Sequence, residues 1–246
     1  MKVFSIIAVR KGSKGLRGKC ARKIANKSVF EYVIEYSLKI DREFRGKHFT
    51  VVSSDSEIVR KYCSRYDIPF IKRSRLLASD TAQIEEVIYD AYLKAGREFD
   101  LISLLYGNIP TRYPGEFIKA YKFLKANDDF DAVLSMQKVE KYNPDWMFEV
   151  NEEVLPTRKC AIYRRQDLKQ YMIHDGHTIL FRTDHFLRFM REKGLNGKKG
   201  LYDSFGDKIK PMLNEKIIVD IDTQRDLQLA GAILSRRRKG GEHEIL

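Results

Sequence analysis

Apolar residues follow two alternating patterns along the chain. The first segment, residues 3–9 (VFSIIAV), is apolar at nearly every position, which is typical of a strand buried on both faces of a parallel sheet. A loop rich in glycine and lysine follows, and Ser28 and Glu31 then have the spacing of a capping box. The apolar residues after it recur at helical spacing, at Phe30, Val33 and Ile34, with Ser37 on the same face. The chain therefore begins with a strand, a glycine loop and a helix.

The same alternation is repeated to the end of the chain. Further strands are predicted at residues 49–53, 68–71, 101–106, 131–136 and 216–221. Helices are predicted at residues 57–66, 116–126 and 223–235, and through the set Ile84, Val87, Ile88, Ala91 and Tyr92. Repeated β and α elements of these lengths predict an α/β fold with a mostly parallel sheet and helices on both faces.

The pattern loses its clarity between residues 137 and 179. This stretch is rich in Tyr, Arg and Lys and contains the single tryptophan, Trp146. We interpret it as an insertion that leaves the sheet and returns, either as a lid or as an oligomer contact. The core is then predicted to comprise residues 1–136 and 180–246.

Charge and composition narrow the classes of function. The 246 residues include 46 Lys and Arg against 34 Asp and Glu, a net charge of +12. Such a balance favours anionic partners, namely nucleic acid, an acidic membrane surface or small phosphorylated or carboxylated substrates, or it is a solvated surface that aids solubility. No apolar run approaches the roughly 18–20 residues that cross a bilayer, so we expect a soluble cytoplasmic protein. Three cysteines without a CxxC pair predict neither a disulfide framework nor a structural zinc site.

Candidate chemistry begins in the loop after the first strand. Residues 10–19 (RKGSKGLRGK) hold three glycines and five cations. Loops at the carboxyl ends of parallel strands bind ligands in α/β folds, and glycines let backbone N–H groups approach phosphate oxygens. The segment matches neither the dinucleotide fingerprint nor the P-loop, since Ser13 replaces the first P-loop glycine and Cys20 the final hydroxyl residue. The alternative is a surface turn with incidental lysines.

Two aspartates near the end of the chain are candidate metal ligands. Asp220 and Asp222 lie two residues apart at the end of a predicted strand, so both side chains point to the same face. Mg²⁺ is commonly held by one or two carboxylates together with substrate phosphates. The alternative is that Asp222 or Thr223 caps the last helix. A third carboxylate, Asp55, either lines the same pocket or caps the helix that follows it.

Several segments resemble one known family. The loop at residues 10–19 is similar to the A-R-x-G-S-K-G-[IL]-x-G-K signature of the CMP-sialic acid synthetases, also called acylneuraminate cytidylyltransferases. Residues 52–58 (VSSDSEI) resemble V-S-[ST]-D-S-x-x-I, residues 104–112 (LLYGNIPTR) L-L-Q-P-T-S-P-L-R, residues 164–167 (RRQD) an R-R-Q-D segment, and residues 219–226 V-D-I-D-T-x-x-D. Arg73, Leu77, Ala78, Asp80 and Thr81 fall as in an R-P-x-x-L-A-x-D-T segment. Cys20 stands where the family has Asn, Arg17 where it has Pro, and Tyr106 where it has Gln.

This resemblance implies a fold and a reaction. The fold is a Rossmann-like nucleotidyltransferase sheet with a small inserted dimerisation arm. The reaction is attack by the anomeric hydroxyl of a nine-carbon 2-keto sugar acid, such as sialic, legionaminic or pseudaminic acid, on the α-phosphorus of CTP. The loop lacks the usual sequence of the Kdo-activating enzymes, which makes that substrate a weaker candidate. We expect a homodimer that binds neither nucleic acid nor membrane.

The resemblance also assigns roles to residues. Those implied to bind the nucleotide are Arg10, Gly12, Ser13, Lys14, Gly15, Lys19, Arg73 and Asp80. Those implied to be catalytic are Arg10, Lys19 and Asp222, with Mg²⁺ held by Asp220 and Asp222. Those implied to bind the sugar acid are Tyr106, Arg112, Arg165 and Gln166, the last two across the dimer, or else as ordinary surface residues.

Two rival hypotheses stay open at this point. One is a nucleotidyltransferase of the same fold that uses another sugar or nucleotide, which Cys20 and Tyr106 favour. The other is a non-catalytic nucleotide- or nucleic-acid-binding protein. The sequence has no Ser-His-Asp order of a hydrolase, and none of its histidines, His48, His174, His177, His185 and His243, matches a catalytic segment.

Overall fold

A seven-stranded sheet forms the centre of the computed structural model, which describes residues 1–12, 15–140, 142–150, 154–156, 160–192 and 202–239. The strands are β1 (Val3–Ala8), β2 (Lys23–Ile24), β3 (Lys27–Ser28), β4 (His48–Ser54), β5 (Phe70–Lys72), β6 (Leu101–Tyr106), β7 (Ala132–Val139), β8 (Phe148–Val150), β9 (Val154–Pro156), β10 (Tyr171–Arg182) and β11 (Ile209–Leu213). The order in the sheet is β11-β7-β10-β6-β1-β4-β5, and β2–β3 and β8–β9 form separate two-stranded pairs. All pairings in the main sheet are parallel except those of β10, which is antiparallel to β6 and β7. The predicted mostly parallel α/β fold is confirmed.

Helices cover both faces of this sheet. They are α1 (Val29–Phe44), α2 (Glu57–Arg65), α3 (Ile84–Ala95), α4 (Pro114–Ala126), α5 (Thr183–Glu192) and α6 (Gln224–Lys239). One apolar cluster joins α1, α2 and α4 to the sheet, and a second joins α3 and α5 to the opposite face. Because β1 and β6 contribute to both clusters, they read as continuous apolar runs in the sequence. No helix in the described ranges combines the length and the apolar character needed to span a bilayer.

The first helix begins with the predicted capping box. The Glu31 N–H donates to the Ser28 hydroxyl at 3.2 Å, and the Ser28 N–H donates to the Glu31 carboxylate at 2.7 Å. Burial alone would raise the pKa of Glu31, but hydrogen bonds from Ser28 and Tyr66 and the charge of Arg65 lower it below its usual range. The charged carboxylate is therefore part of the helix terminus that follows the glycine loop.

The strand predicted at residues 216–221 is wrong. The last strand of the sheet is β11, which includes Pro211 at the sheet edge, where the missing N–H is tolerated. Val219 and Ile221 are buried, as their apolar character suggested, but in a satellite cluster with α6 instead of the sheet. Their N–H groups bond to the segment between β6 and α4, Val219 to the Thr111 hydroxyl at 2.9 Å and Ile221 to the Asn108 carbonyl at 3.1 Å.

The predicted insertion is shorter than residues 137–179. Strand β7 continues to Val139, which pairs with Tyr171 of β10, so the two strands are connected by residues 140–170, hereafter the arm. The register of β10 against β7 shifts between His174 and Ile179. Gly176 in this bulge has a φ of 69°, a conformation that favours glycine. The first half of β10 is irregular and partly exposed, so it lacks the apolar pattern by which the other strands were predicted.

Candidate active site

A cleft of about 490 Å³ opens at the carboxyl ends of β1 and β6. Segments far apart in sequence meet there, and the predicted residues that line the cleft are Arg10, Gly12, Gly15, Lys19, Arg73, Asp80, Tyr106, Asp220 and Asp222. Ser13 and Lys14 lie outside the described residues. The structure thus brings the glycine loop and the acidic pair to one site, at the edge where parallel sheets bind ligands.

The glycine loop is held in place by backbone contacts. The Lys11 N–H donates to the Asp55 carboxylate at 2.7 Å. Ser56, instead of Asp55, caps α2, since its hydroxyl accepts from the Val59 N–H at 3.5 Å. Neither role considered for Asp55 is observed, since Ser56 caps α2 and Asp55 is not among the residues that line the cleft. Its carboxylate anchors the loop instead.

Gly15 lies against the backbone of Asp222, in the segment that carries the acidic pair. A methyl group added at its Cα would come within 2.5 Å of the Asp222 carbonyl oxygen, far inside normal contact distance. Glycine is thus required at this position because two backbone segments approach closely, one from each side of the cleft.

Two cations of the loop are paired with acids across the cleft. Arg10 Nη1 lies 2.6 Å from Asp80 Oδ1, and Lys19 Nζ lies 2.5 Å from Asp222 Oδ1. The carboxylates of both pairs are half exposed or more, with side-chain exposures of 50% and 64%. Pairs this accessible to water contribute little net stability, so a polyanion entering the cleft can compete for both cations.

A third cation is fixed more rigidly. Arg73 is buried at the end of β5, and its guanidinium donates to the Ser53 hydroxyl at 3.2 Å and to the Ser53 carbonyl at 2.8 Å. Burial lowers the pKa of Arg73 to about 10, so the group stays protonated at neutral pH. It therefore adds a permanent positive charge to the cleft wall.

The acidic pair is free of helix capping. The Thr223 hydroxyl accepts from the Asp226 N–H at 3.3 Å, and the Asp226 carboxylate accepts from the Thr223 N–H at 2.7 Å, which is a capping box at the start of α6. Of the alternative that Asp222 or Thr223 caps this helix, the part on Thr223 is confirmed and the part on Asp222 is wrong. Partial desolvation and the charge of Asp222 raise the pKa of Asp220, as two carboxylates do when they share a site.

Their oxygen chemistry suits a divalent cation. Mg²⁺ takes hard oxygen ligands, is often bound by one or two carboxylates, and completes its shell with phosphate oxygens and water. Asp220 and Asp222 offer two carboxylates on the wall facing the cationic loop. The residues fit the predicted ion, and its presence stays a prediction.

Tyr106 lines the cleft at the end of β6. Burial and the negative charge of Asp220 raise the pKa of Tyr106, so the phenol is neutral at physiological pH. Gly176 lies beside its ring: a Cβ there would meet Tyr106 Cδ2 at 3.5 Å and Ile109 Cδ1 at 2.7 Å. The bulge of β10 therefore packs directly behind this residue.

Arg112 does not line the cleft, which corrects its predicted contact with the sugar acid. Its side chain is buried, and the guanidinium donates to four backbone carbonyls, those of Tyr106, Ile109, Gly176 and His177, at 2.7–3.0 Å. Desolvation lowers the pKa of Arg112 to about 10. Four of the five guanidinium N–H donors are therefore bonded to backbone carbonyls, so Arg112 holds the β10 bulge against the segment after β6.

Arg165 and Gln166 lie on the arm and not in the cleft of their own chain. Both are exposed, and Arg165 Nη1 lies 3.4 Å from the Glu140 carboxylate. Their predicted role across a dimer stays a prediction.

Among the residues that the structure describes, no histidine lines the cleft. His48 is buried between the Ser5 hydroxyl, 2.6 Å from its Nε2, and the Asp41 carboxylate, which contacts its Nδ1. This is a Ser-His-Asp hydrogen-bond chain whose order the sequence did not suggest, but Ser5 is fully buried inside β1 and cannot meet a substrate. His177 is likewise buried, bonded to Thr178 and to the Tyr113 N–H, and His243 lies outside the described residues.

Asn108 is a polar residue of the cleft that the sequence analysis missed. Asn108, directly after β6, lines the cleft, and its side-chain amide donates to the Asp220 carboxylate and, at 3.3 Å, to the Ile221 carbonyl. The segment 104–112 was matched to a family motif that has no Asn here, so the resemblance carried no signal for it. An amide that follows a buried strand at the ligand-binding edge was the available signal.

A mostly parallel sheet, a cation-rich glycine loop at its carboxyl edge and a facing pair of carboxylates are the features expected of a nucleotidyltransferase. The comparison with protein families agrees and is more specific. The family model described as cytidylyltransferase matches residues 4–233. The chain belongs to the cytidylyltransferase family and is a CTP-dependent enzyme, as the resemblance of its motifs implied.

Curated relatives cover nearly the whole chain. The chain is 26% identical over 242 residues to the post-translational flagellin modification protein B of Campylobacter coli, with 96% of each protein covered. It is 30% identical over 242 residues to an N-acylneuraminate cytidylyltransferase of Escherichia coli O18:K1:H7, with 97% of this chain covered. The chain spans only 53% of that longer relative.

Solved structures share the fold. A CMP:2-keto-3-deoxy-manno-octonic acid synthetase complexed with CTP aligns with a TM-score of 0.70 and 15% sequence identity, covering 96% of this chain and 99% of the other. At this identity the likeness bears on the fold alone.

Proposed function

We propose that the protein transfers CMP from CTP to a nonulosonic, sialic-acid-like sugar acid with release of pyrophosphate. The observation that carries the proposal is the meeting of Arg10, Lys19 and Arg73 with Asp220 and Asp222 around one cleft. The motif resemblance and the N-acylneuraminate cytidylyltransferase among the relatives support a sugar acid of this class.

The cations of the cleft account for the nucleotide half of the reaction. Both reactants are anions, so positive charge must offset their repulsion before oxygen approaches phosphorus. Arg10 and Lys19 reach into the cleft from the glycine loop, and Arg73 adds a fixed charge from β5. The sugar hydroxyl oxygen forms a bond to the α-phosphorus, the bond from that phosphorus to the β-phosphate oxygen breaks, and the hydroxyl proton leaves to solvent or a cleft carboxylate. The charge on the departing pyrophosphate is stabilised by Arg10 and Lys19.

The acidic pair provides the proposed ligands for a metal ion. Asp220 and Asp222 would hold Mg²⁺, which when bound supplies charge neutralisation at the phosphates and lowers the pKa of a coordinated hydroxyl. Lys19, now paired with Asp222 at 2.5 Å, exchanges this partner for phosphate oxygens when the nucleotide enters. The cleft therefore keeps its charges paired with or without substrate.

We also propose that two copies assemble through the arm. Large apolar side chains are exposed there, among them Phe148 at 58%, Val150 at 71% and Tyr163 at 92%. Exposed apolar surface of this kind often marks an interaction site. An arm that meets the neighbouring chain would carry Arg165 and Gln166 towards its cleft, which they do not reach in their own chain.

Light scattering tests the assembly. The native protein is expected at the mass of two chains, and Tyr163→Asp at the mass of one. Leu93→Asp, a matched change of an exposed apolar residue on α3, is expected to leave the mass at two chains. A native protein with the mass of one chain would refute the proposal.

Pyrophosphate release tests the reaction. Each of the four nucleoside triphosphates is combined with Mg²⁺ and a panel of nonulosonic acids, with Kdo as a further acid. Turnover is expected with CTP and at least one nonulosonic acid. Turnover with Kdo alone, or with a nucleotide other than CTP, would show that the proposed substrate is wrong. If no pair of nucleotide and acid releases pyrophosphate, the proposal as a whole is overturned.

A single substitution tests the metal ligands. Asp222→Asn is expected to abolish Mg²⁺-dependent turnover while the thermal unfolding midpoint stays close to that of the native protein. Asp129→Asn, a matched change of an exposed acid outside the cleft, is expected to retain turnover. Full activity of Asp222→Asn would contradict the assignment.

A further inference from the structure

The acidic pair lies on a segment with no strand partner among the described residues. Residues 214–222 belong to none of the sheets, although Asp220 and Asp222 must keep a fixed separation to share an ion. In a strand, the pleat would hold two carboxylates two residues apart on one face. Here other contacts must provide that order.

The contacts come from the segment between β6 and α4. The Asn108 carbonyl accepts from the Ile221 N–H at 3.1 Å, and the Asn108 side-chain amide donates back to the Ile221 carbonyl at 3.3 Å. The Thr111 hydroxyl accepts from the Val219 N–H at 2.9 Å. These bonds flank Asp220 on both sides and fix its backbone.

The same amide also reaches the carboxylate. Asn108 Nδ2 donates to Asp220 Oδ1, and the Asn108 residue is only 9% exposed. One carboxylate oxygen is thus held by the amide, and the second oxygen is left for a ligand from the cleft. Because the amide is neutral, it orients the carboxylate without cancelling its charge, in contrast to Lys19, whose ammonium neutralises Asp222.

We propose that Asn108 is a positioning residue for the divalent cation and that its side-chain amide orients the Asp220 carboxylate that would hold the ion. This inference rests on the proposed function, since it takes Asp220 and Asp222 as the metal ligands. Hydrogen-bond partners of metal ligands set ligand orientation, and their removal typically weakens metal binding by about 10–100-fold.

Mn²⁺ binding to the full protein is the direct test, with electron paramagnetic resonance to measure free Mn²⁺. Asn108→Ala is expected to raise the Mn²⁺ dissociation constant by about 10-fold or more. Thr111→Val is the matched control, because it removes the other side-chain contact to the segment without touching the Asp220 carboxylate. It is expected to bind Mn²⁺ like the native protein.

Thermal unfolding separates orientation from loosening of the segment. Both variants are expected to lower the unfolding midpoint slightly, whereas only Asn108→Ala weakens Mn²⁺ binding. Equal weakening in both variants would show that the order of the segment alone matters and would overturn the inference, and so would native affinity in Asn108→Ala. If the alanine variant does not fold, Asn108→Leu, which keeps the size and lacks the donor, gives the same comparison.

Asp222→Asn distinguishes this inference from the proposed function. If Asp222→Asn binds Mn²⁺ as tightly as the native protein does, the metal site itself is wrong. If Asp222→Asn removes binding while Asn108→Ala does not weaken it, the metal site stands and the role of Asn108 is wrong.

Discussion

Replacing Gly15 by alanine forces the two sides of the cleft apart. The added methyl carbon would lie 2.5 Å from the Asp222 carbonyl oxygen, whereas a carbon and a carbonyl oxygen in contact are normally about 3.3–3.6 Å apart. The glycine loop or the acidic segment must therefore move by roughly 1 Å. Both neighbours are backbone, so no side-chain rotation can relieve the contact.

The magnitude of the effect differs between stability and activity. Forcing an extra carbon into a filled space typically costs about 1–3 kcal/mol. A displacement of about 1 Å between groups that act on one substrate can cost about 100-fold in rate. We expect Gly15→Ala to lose activity much more severely than stability, because the displaced groups are Lys19 and Asp222.

Pyrophosphate release at saturating CTP and urea unfolding measure the two effects. Gly12→Ala is the matched control, since a methyl group there meets nothing within 4 Å, and its unfolding free energy is expected to stay close to that of the native protein. Native rate and stability of Gly15→Ala would show that the loop does not abut Asp222, and the geometry argued for the cleft would be wrong.

Three further predictions concern the framework around the site. Arg112→Lys is expected to lose roughly 2–4 kcal/mol of unfolding free energy in urea, because an ammonium cannot serve the four carbonyls that the guanidinium holds; native stability would refute this. Ser28→Ala is expected to lose about 1 kcal/mol in the same assay through the lost cap of α1, and an unchanged midpoint would contradict it. Partial burial would raise the pKa of Asp226, but hydrogen bonds from the Thr223 hydroxyl and two backbone N–H groups lower it below its usual value. The stability that the charged Asp226 contributes is therefore fully present above pH ~4 and is lost as pH falls through the lowered pKa. The stability difference between the native protein and Asp226→Asn should therefore shrink on acidification, and a constant difference would show that the charge is irrelevant.

Elements with strong periodicity were predictable from the sequence. β1 and β6 are buried on both faces, so unbroken apolar runs identified them, and the capping box of Ser28 and Glu31 marked the start of α1. The failures have a common cause. β11 lies at a sheet edge and is half exposed, whereas Val219 and Ile221 are buried without joining the sheet. Periodicity reports burial, and burial does not identify the hydrogen-bond partner.

The cleft was predictable where charge and loop position agreed, and less so where a role depended on exposure. Lys19 and Asp222 lie together as their motifs suggested. Arg112 was assigned to the substrate from its motif position, but burial and four carbonyl partners give it another task. Asn108 was invisible because its importance comes from a residue 112 positions away. No local pattern encodes such a contact.

The reversed direction of β10 has a consequence for how this enzyme could diversify. Because β7 runs with β1 and β10 runs against it, the arm leaves the sheet at the end of β7 and returns at the start of β10, both at the edge that holds the cleft. An insertion that connects two neighbouring strands at one end of the sheet can change in length or sequence without changing the order of the strands. Residues 140–170 are therefore a suitable segment for exchange, and a chimera that carries the arm of a relative would leave the glycine loop and the acidic pair intact.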